Sequence, residues 1–494
     1  MPPNSINFKT PMFRILSDKQ IEELHCATIE VLEKTGVAFE SKEAIELLSG
    51  AGADVTNRNR VKIPGHLVEQ ALRTAPKTIM LYTREGEPAF VLDGVAGAHF
   101  GSTPNPREYL DPWTGSRRKT YVDDMVDQSR LIDALPNIEF CWNATTNLTL
   151  PIVDGGDFSG RVSLLQYLRN ASKPVFCENV DVPSLKDMIK LCAIISGGEE
   201  RLRKKPFFGS SSEPVSPLIQ GKEAVEKSLL CAEKGIPNII YSMPMAGATV
   251  PATFAGALVI ANAEILSHLV AVQLKKPGAP VIVGAIPSIM DMKTTIFSYG
   301  APELTLMVGA LTELLHSYKL PVFGTAGCTD AENVGIQATA ETLYQIMVTV
   351  MTGADLVHDV AVAYHATVGS PELIVLVDEL IGMVKVLLGG IKVNKETLAL
   401  DMIERLGPRS SFLTEKHTAE NFRKFWVPSL FDRSFIKTPE AVNAESKLTQ
   451  KTLHLMMTHK PKPLADDVLK ELDKVEARYL KKLGLKDYPQ KGAA

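Results

Sequence analysis

This sequence of 494 residues has no closely spaced pair of cysteines and carries little net charge. The six cysteines include no CxxC pair and lie far apart, so we expect reduced thiols rather than a disulfide framework. The formal net charge of −4 is small for the length and gives no reason to expect a nucleic-acid partner. A hydrophobic content of 45% with 22% charged residues is typical of a globular protein with a large core.

Long uninterrupted apolar runs are lacking too. The opening residues MPPNSINFKTPMFR contain no continuous apolar core of the kind found in an export signal. The two most apolar later runs are interrupted by Glu264 and His268 in one case and by Asp378, Glu379 and Lys385 in the other. We therefore predict that both runs form buried helices rather than membrane spans, and we expect a cytoplasmic protein.

Several catalytic motifs are absent. The sequence has no GxSxG nucleophile elbow, no Walker phosphate loop, no HExxH zinc motif and no EF-hand loop. No GxGxxG follows the first predicted strand, which counts against a doubly wound nucleotide-binding sheet.

A regular alternation of short apolar strands and long helical patterns runs through most of the chain. The strands carry little polar alternation, as strands covered by helices on both faces should. Eight such strand and helix units close most simply as a (β/α)8 TIM barrel, with a doubly wound open sheet as the alternative. The predicted strands cover residues 99–102, 138–143, 174–178, 206–210, 238–242, 280–284, 321–324 and 354–359.

Three regions are predicted on this basis. Residues 1–95 form a mostly helical N-terminal leader, residues 96–390 form the barrel, and residues 391–494 form a C-terminal helical extension. The fold class is therefore α/β, and functional residues are expected where the barrel strands end, because α/β barrels place their chemistry there.

The residues at and just after the predicted strand ends are mostly polar or contain sulfur. They are Ser102, Asn105, Asn143, Asn147, Glu178, Ser210, Glu213, Tyr241, Met243, Met245, Cys328, Asp330, His358, Asp359 and His365. Two of the following loops, SMPMAGATVPAT and TAGCTDAE, are rich in glycine, proline or sulfur and are expected at the barrel mouth. Because adjacent strand residues point to opposite faces, only one of His358 and Asp359 is expected to face the barrel interior.

Together these segments resemble the trimethylamine methyltransferase (MttB-type) superfamily of corrinoid-dependent methyltransferases. The resemblance rests on ILSDKQIEELHCATIEVLEKTGVAF, FGSTPNPREYLD, MPMAGATVPATFAG with PGAPVIVG, and GTAGCTDAENVGIQATAET, and it extends over nearly the whole chain. It implies a TIM barrel. The founding member uses pyrrolysine to handle trimethylamine, whereas this sequence contains only the twenty standard residues. The resemblance therefore implies a non-pyrrolysine member that demethylates a quaternary amine, such as glycine betaine or a related betaine.

The resemblance also implies a methyl acceptor, the cobalt of a corrinoid (cobalamin). No DxHxxG cobalamin-binding signature surrounds any histidine, so we expect a separate corrinoid protein to dock at the barrel mouth. We predict contact with the cofactor for Met243, Met245, Gly247, Gly327 and Cys328. We predict no bound metal, no membrane or nucleic-acid partner, and the possibility of a homo-oligomer.

A quaternary ammonium ion calls for aromatic faces and carboxylates. We predict substrate binding by Tyr241, Phe208, Trp142, Glu178, Asn143 and His365, and catalytic roles for Asp330, His358 and Glu213. If the substrate carries a carboxylate, His358, His365 and Arg107 are the candidates to bind it.

Two other functional classes stay open at this point. One is a metal-dependent TIM-barrel lyase or hydrolase built on Cys328, His358 and Asp330, since such ligand types could converge from adjacent strands. The other is a noncatalytic betaine-binding protein, although the elaborate loops after the strands favour an enzyme.

Overall fold

Eight parallel strands close into a barrel at the centre of the chain. A computed structural model describes residues 13–57, 59–95, 97–144, 148–153, 158–433 and 443–491; Asn147, one of the predicted strand-end candidates, lies outside them. The barrel strands are β1 (His99–Ser102), β2 (Ile138–Asn143), β3 (Val175–Cys177), β4 (Phe208–Ser212), β5 (Asn238–Ser242), β6 (Val281–Ala285), β7 (Val322–Thr325) and β8 (Leu356–Val360).

Each barrel strand pairs in parallel with the next one along the chain, and β8 pairs with β1 to close the cylinder. The predicted (β/α)8 barrel is therefore confirmed, and the doubly wound alternative is wrong. All eight predicted strands exist, with shifts of one or two residues at several ends.

Long helices follow the strands and cover the outside of the barrel. They are α1 (Val122–Ala134), α2 (Ser159–Asn170), α3 (Val182–Ser196), α4 (Lys222–Lys234), α5 (Phe254–Lys275), α6 (Pro302–Ser317), α7 (Ile336–Thr352) and α8 (Pro371–Leu388). Local sequence fixes several of their ends. Asp181 accepts a hydrogen bond from the Ser184 amide to start α3, and Gly353 ends α7 in the left-handed conformation.

Helix α5 is apolar and long enough to span a membrane, but it is a core helix here. In its most apolar stretch of 18 residues, 78% are buried inside the protein. The prediction of a buried helix is confirmed, and the cytoplasmic location stays a prediction.

The N-terminal part packs against α4, α5 and α6. It contains helices Asp18–Glu30, Lys42–Gly50 and Gly65–Thr74, a π-helical turn Val31–Thr35, and the strands Val37–Phe39, Asp54–Asn57 and Arg60–Lys62. A short strand after β4, Ile219–Gln220, joins this small sheet in parallel with Val37–Phe39. A short helix, Glu199–Lys204, follows α3.

A β-hairpin closes the N-terminal end of the barrel. Its strands, Ile79–Tyr82 and Pro88–Leu92, are antiparallel. The Phe90 ring stacks on His99 at the start of β1, with 4.3 Å between the ring centres, and Phe140 and Phe176 fill the barrel above it. Because this end is plugged by apolar side chains, access to the barrel interior is from the opposite end.

Short strands elaborate the C-terminal end of the barrel. Glu108–Leu110 and Arg117–Lys119 form one sheet with Val362–Ala363 and Val368–Gly369, and Met245–Ala246 pairs with Ser288–Ile289. These pairings fix the loops after β1, β5, β6 and β8 around the barrel mouth.

The residues after α8 form helices without strands among the described positions. They are Lys395–Leu398, Leu400–Leu406, Lys416–Asn421, a 3-10 turn Phe422–Lys424, Ala444–Thr458 and Asp466–Leu483. The last helix packs its apolar side, including Leu472 and Tyr479, against the core around α2 and α3, and leaves most of its charged residues in solvent.

Candidate active site

A cavity of about 280 Å³ opens at the C-terminal end of the barrel. Three aromatic rings line it: Trp142 of β2, Tyr241 of β5 and Tyr299 in the loop between β6 and α6. Two carboxylates, Glu178 and Asp359, also line it. The other lining residues are Thr103, Pro106, Ala144, Met243, Ile286, His358, Val362 and Ala366.

The aromatic side chains pack on one another to form the floor of the cavity. The Trp142 ring lies 5.5 Å from Phe323 and 5.8 Å from Tyr241, and Tyr241 lies 5.1 Å from Phe323. The Trp142 indole Nε1 donates a hydrogen bond of 3.1 Å to Glu178 Oε1. This packing and the hydrogen bond to Glu178 hold the rings in place relative to one another.

His358 and Asp359 both line the cavity, although they are neighbours on β8. Asp359 has a φ of 63°, and the register of β8 against β1 shifts between Val357 and Val360. This irregularity breaks the usual alternation of strand side chains. His358 Nε2 lies 3.3 Å from Asp359 Oδ2. The prediction that the two side chains face opposite sides of the barrel wall is therefore wrong.

Burial controls the charges of this pair. It raises the pKa of Asp359 to about 7, against the opposing effect of a hydrogen bond from the Thr325 hydroxyl. It also lowers the pKa of His358 to about 3, so the imidazole is neutral at physiological pH. A neutral His358 leaves Asp359 without a permanent cationic partner.

A third carboxyl group, Glu213, lies at the edge of the cavity. The Tyr241 hydroxyl donates to its Oε2 at 3.4 Å. The surrounding protein and the nearby Glu178 raise the pKa of Glu213 to about 7. Because this side chain reaches solvent, it is screened more than Asp359. The cavity thus combines aromatic faces with acidic groups, an arrangement suited to a small organic cation.

The structure brings together six of the predicted site residues. Five line the cavity, and Glu213 adjoins it through the Tyr241 hydroxyl. The five are Trp142, Glu178, Tyr241, Met243 and His358.

Phe208 and Asn143 do not face the cavity. Phe208 is fully buried among side chains of the helix layer, including Leu191 and Cys192. Asn143 is also fully buried, and its Nδ2 donates to the carbonyl of Gly160 in α2. The prediction that these two residues bind substrate is wrong, because strand alternation turns Asn143 outward when Trp142 points inward.

Asp330 and His365 lie beside the cavity but do not line it. Asp330 Oδ1 accepts from the Tyr299 amide at 2.9 Å, while Oδ2 accepts from the Gly300 amide and the Ser298 hydroxyl. His365 Nδ1 lies 3.0 Å from Asp330 Oδ1. These contacts favour a role for Asp330 in positioning Tyr299, and its catalytic role stays a prediction.

Gly327 and Cys328 are buried beneath the barrel mouth. The Cys328 amide and thiol both contact Gln345 Oε1, at 3.1 and 3.3 Å, and burial raises the pKa of the thiol. The prediction that these two residues contact a docked cofactor is wrong, because neither is accessible. Met245 and Gly247 lie in the loop after β5, where Gly247 is exposed, and their contact with the cofactor stays a prediction.

Sequence reasoning missed several lining residues, above all Tyr299. This residue follows the end of β6 by fourteen positions, so a search of the strand ends alone could not find it. An aromatic residue shortly before the start of α6 was the available signal. No comparable signal marks the other lining residues that were missed, because their side chains have no distinctive chemistry. They are Thr103, Pro106, Ala144, Ile286, Val362 and Ala366.

No group of three or more His, Cys, Asp or Glu side chains is arranged to hold a metal ion within the described ranges. Of the proposed ligands, Cys328 contacts Gln345, and Asp330 is bound by loop donors. The geometry therefore gives no support to the metal-dependent lyase or hydrolase.

Comparison with known proteins connects this fold and cavity to one family. The family described as trimethylamine methyltransferase (MTTB) matches residues 3–484. A protein named trimethylamine methyltransferase MttB from Desulfitobacterium hafniense (strain DSM 10664 / DCB-2) is 32% identical over 462 residues, which cover 92% of this chain and 91% of that protein. A glycine betaine methyltransferase from Desulfitobacterium hafniense (strain Y51) is 31% identical over 444 residues, covering 88% and 90%.

Among solved structures, the monomethylamine methyltransferase MtmB of Methanosarcina barkeri has a similar fold. Its crystal structure matches with a TM-score of 0.52 and covers 97% of this chain and 90% of the other, at 12% sequence identity. At this identity the similarity concerns the fold alone.

Replacing Asp330 tests its role in positioning Tyr299. We expect Asp330→Ala to lower the free energy of unfolding by about 1–3 kcal/mol, because the Tyr299 and Gly300 amides lose their acceptors. We also expect weaker binding of tetramethylammonium, measured by calorimetry. Asp291→Ala is the matched control, since Asp291 accepts amide hydrogen bonds only within its own exposed loop. Unchanged cation binding in Asp330→Ala would contradict the positioning role.

Proposed function

Because the chain belongs to the trimethylamine methyltransferase (MTTB) family, we propose that it transfers a methyl group from a quaternary amine to the cobalt(I) of a corrinoid protein. Glycine betaine and related betaines are the donors implied by the sequence resemblance. The observation that carries the proposal is the cavity at the barrel mouth, where Trp142, Tyr241 and Tyr299 face the carboxylates Glu178 and Asp359.

The cavity chemistry suits a quaternary nitrogen. Such a nitrogen has no N–H group to donate, so it is recognised through aromatic faces and negative charge rather than through hydrogen bonds. Trp142 and Tyr241 supply the faces, and Asp359 supplies charge once it is ionised. Carboxyl groups with raised pKa values, gathered in a cavity at the strand ends, are typical of a functional site.

The proposed reaction requires little acid–base catalysis by the protein. The carbon–nitrogen bond breaks, its electron pair stays on nitrogen, and a neutral tertiary amine leaves without a proton. The cobalt(I) acceptor supplies a strong nucleophile, so the residues mainly hold one methyl group toward the opening and exclude water. We therefore assign Asp359 and Glu178 to charge compensation and His358 to a neutral part of the wall, not to proton transfer.

The acceptor is proposed to arrive on a separate protein that docks at the barrel mouth. Large apolar residues are exposed after three strands on this side of the barrel: Phe254 at the start of α5, Met292 in the loop after β6 and Ile336 at the start of α7, with exposed fractions of 36%, 77% and 93%. Large apolar residues exposed at the end of the barrel where the cavity opens are candidates for a protein contact. These residues replace the buried Gly327 and Cys328 in our proposal for the docking face.

The first test measures methyl transfer. Free cob(I)alamin and then candidate corrinoid proteins are incubated with tetramethylammonium, choline, glycine betaine, carnitine or trimethylamine, and cobalt methylation is followed by absorbance. We expect transfer from at least one quaternary amine and none from trimethylamine, because neutral trimethylamine would have to release a dimethylamide anion, which is a very poor leaving group unless the nitrogen is first activated. Transfer from no donor, with every acceptor, would contradict the proposal.

The pH dependence of cation binding tests the role of the carboxyl groups. Only the ionised form of Asp359 attracts a cation, and its pKa is about 7. Tetramethylammonium should therefore bind more tightly as the pH rises from 6 to 8, by up to about tenfold for one such group. Because tetramethylammonium does not titrate, the change reports on the protein. In Asp359→Asn the dependence should weaken to the part contributed by Glu213, whose pKa is also about 7, and an unchanged slope would argue against this role.

The docking face is tested by charge insertion. Met292→Asp should slow methyl transfer to the corrinoid protein by tenfold or more, while transfer to free cob(I)alamin stays unchanged. A tenfold effect corresponds to about 1.4 kcal/mol of lost binding free energy. Met457→Asp is the control, because Met457 is also well exposed, at 68%, but lies away from the barrel mouth. It is two residues from His459, which contacts Asp133 at the C-terminal end of α1, just before β2 begins. Equal effects in both variants would contradict docking at the mouth.

A further inference from the structure

The described lining of the cavity is acidic and contains no lysine or arginine. Glu178 and Asp359 line it, and Glu213 reaches its edge through the Tyr241 hydroxyl. A betaine carries a carboxylate only a few bonds from its ammonium group. Within a cavity this small, that carboxylate would lie close to at least one protein carboxylate and needs a cation or strong donor of its own.

None of the three basic candidates from the sequence is available for that purpose. His358 lies in the cavity but is buried and neutral, and its Nε2 faces Asp359. His365 pairs with Asp330 outside the lining. Arg107 is exposed and lines a separate surface hollow together with Glu108 and Lys119.

One buried lysine, Lys227 of α4, acts on Glu213 at the cavity edge, where its positive charge opposes the rise in the pKa of that carboxyl group. Lys227 donates through Nζ to the carbonyl of Asn179. It does not line the cavity.

We propose that the cavity selects a quaternary ammonium ion whose remaining substituent is uncharged, such as tetramethylammonium or choline, and discriminates against betaines. This inference rests on the proposed function for its substrate class and narrows it. Its physical basis is that a carboxylate-bearing ligand meets like charge and no lysine or arginine in the described lining, whereas a simple cation meets aromatic side chains and acidic groups.

Calorimetric titration of the intact protein at pH 8 tests the selectivity without any corrinoid. We expect tetramethylammonium and choline to bind at least tenfold more tightly than glycine betaine, with the difference shrinking at high salt. Glycine betaine binding equally or more tightly would overturn the inference.

Two charge-neutralising variants test the cause of the selectivity. Glu178→Gln keeps an oxygen acceptor for the Trp142 indole, and Asp359→Asn keeps the side-chain shape. Each should reduce the affinity ratio of tetramethylammonium to glycine betaine by about threefold or more. Glu87→Gln, which removes an exposed carboxylate next to the hairpin strand at the opposite end of the barrel, should leave the ratio unchanged. A ratio that stays constant in all three variants would overturn the electrostatic cause.

The same ligands, offered as methyl donors, separate this inference from the proposed function. Transfer from glycine betaine alone, with tight betaine binding, would overturn the inference and leave the methyltransferase proposal intact. Selective binding of tetramethylammonium and choline, with transfer from no donor to any acceptor, would support the inference and overturn the methyltransferase proposal.

Discussion

The left-handed backbone at Asp359 is the constraint on which the geometry of the cavity depends. In a regular β8, either His358 or Asp359 would point into the helix layer, and the cavity would lose one of these two polar side chains. The φ of 63° and the shifted register against β1 bring both side chains to the same side. A non-glycine residue held in this conformation costs free energy, and such strain is found most often at functional sites.

The second consequence of this placement is electrostatic. Asp359 is buried beside a neutral imidazole, so its ionised form lacks a cation and its pKa rises to about 7 from an ordinary value of 3.8. That difference corresponds to on the order of 4 kcal/mol of destabilisation of the ionised carboxylate by its surroundings. A bound cation relieves part of it. The aromatic floor supplies affinity that does not depend on pH, whereas Asp359 makes affinity depend on its own ionisation.

The barrel could be predicted from the sequence, and part of the cavity could not. Eight apolar strands separated by helical patterns are compatible with few other closed folds. The predicted ends of the strands lie within one or two residues of those in the structure. Trp142, Tyr241 and Glu178 followed from strand ends. The predictions for Phe208 and Asn143 were wrong because the register of a strand in the barrel decides which of its side chains point inward. The sequence of a single strand does not reveal that register. Tyr299 lies far along a loop, and its position depends on hydrogen bonds to Asp330 that no periodicity encodes.

Fold and family therefore limit the chemistry, while a few side chains limit the substrate. Relatives about equally similar to this chain are named for trimethylamine and for glycine betaine, at 32% and 31% identity. Overall identity reports mainly on the shared barrel, because core positions far outnumber those that touch a ligand. Charge at the cavity bears more directly on the substrate, since a carboxylate there raises the affinity for a simple cation and opposes the carboxylate end of a zwitterion. Our proposal for the donor therefore rests on Glu178 and Asp359 in the described lining and not on overall identity.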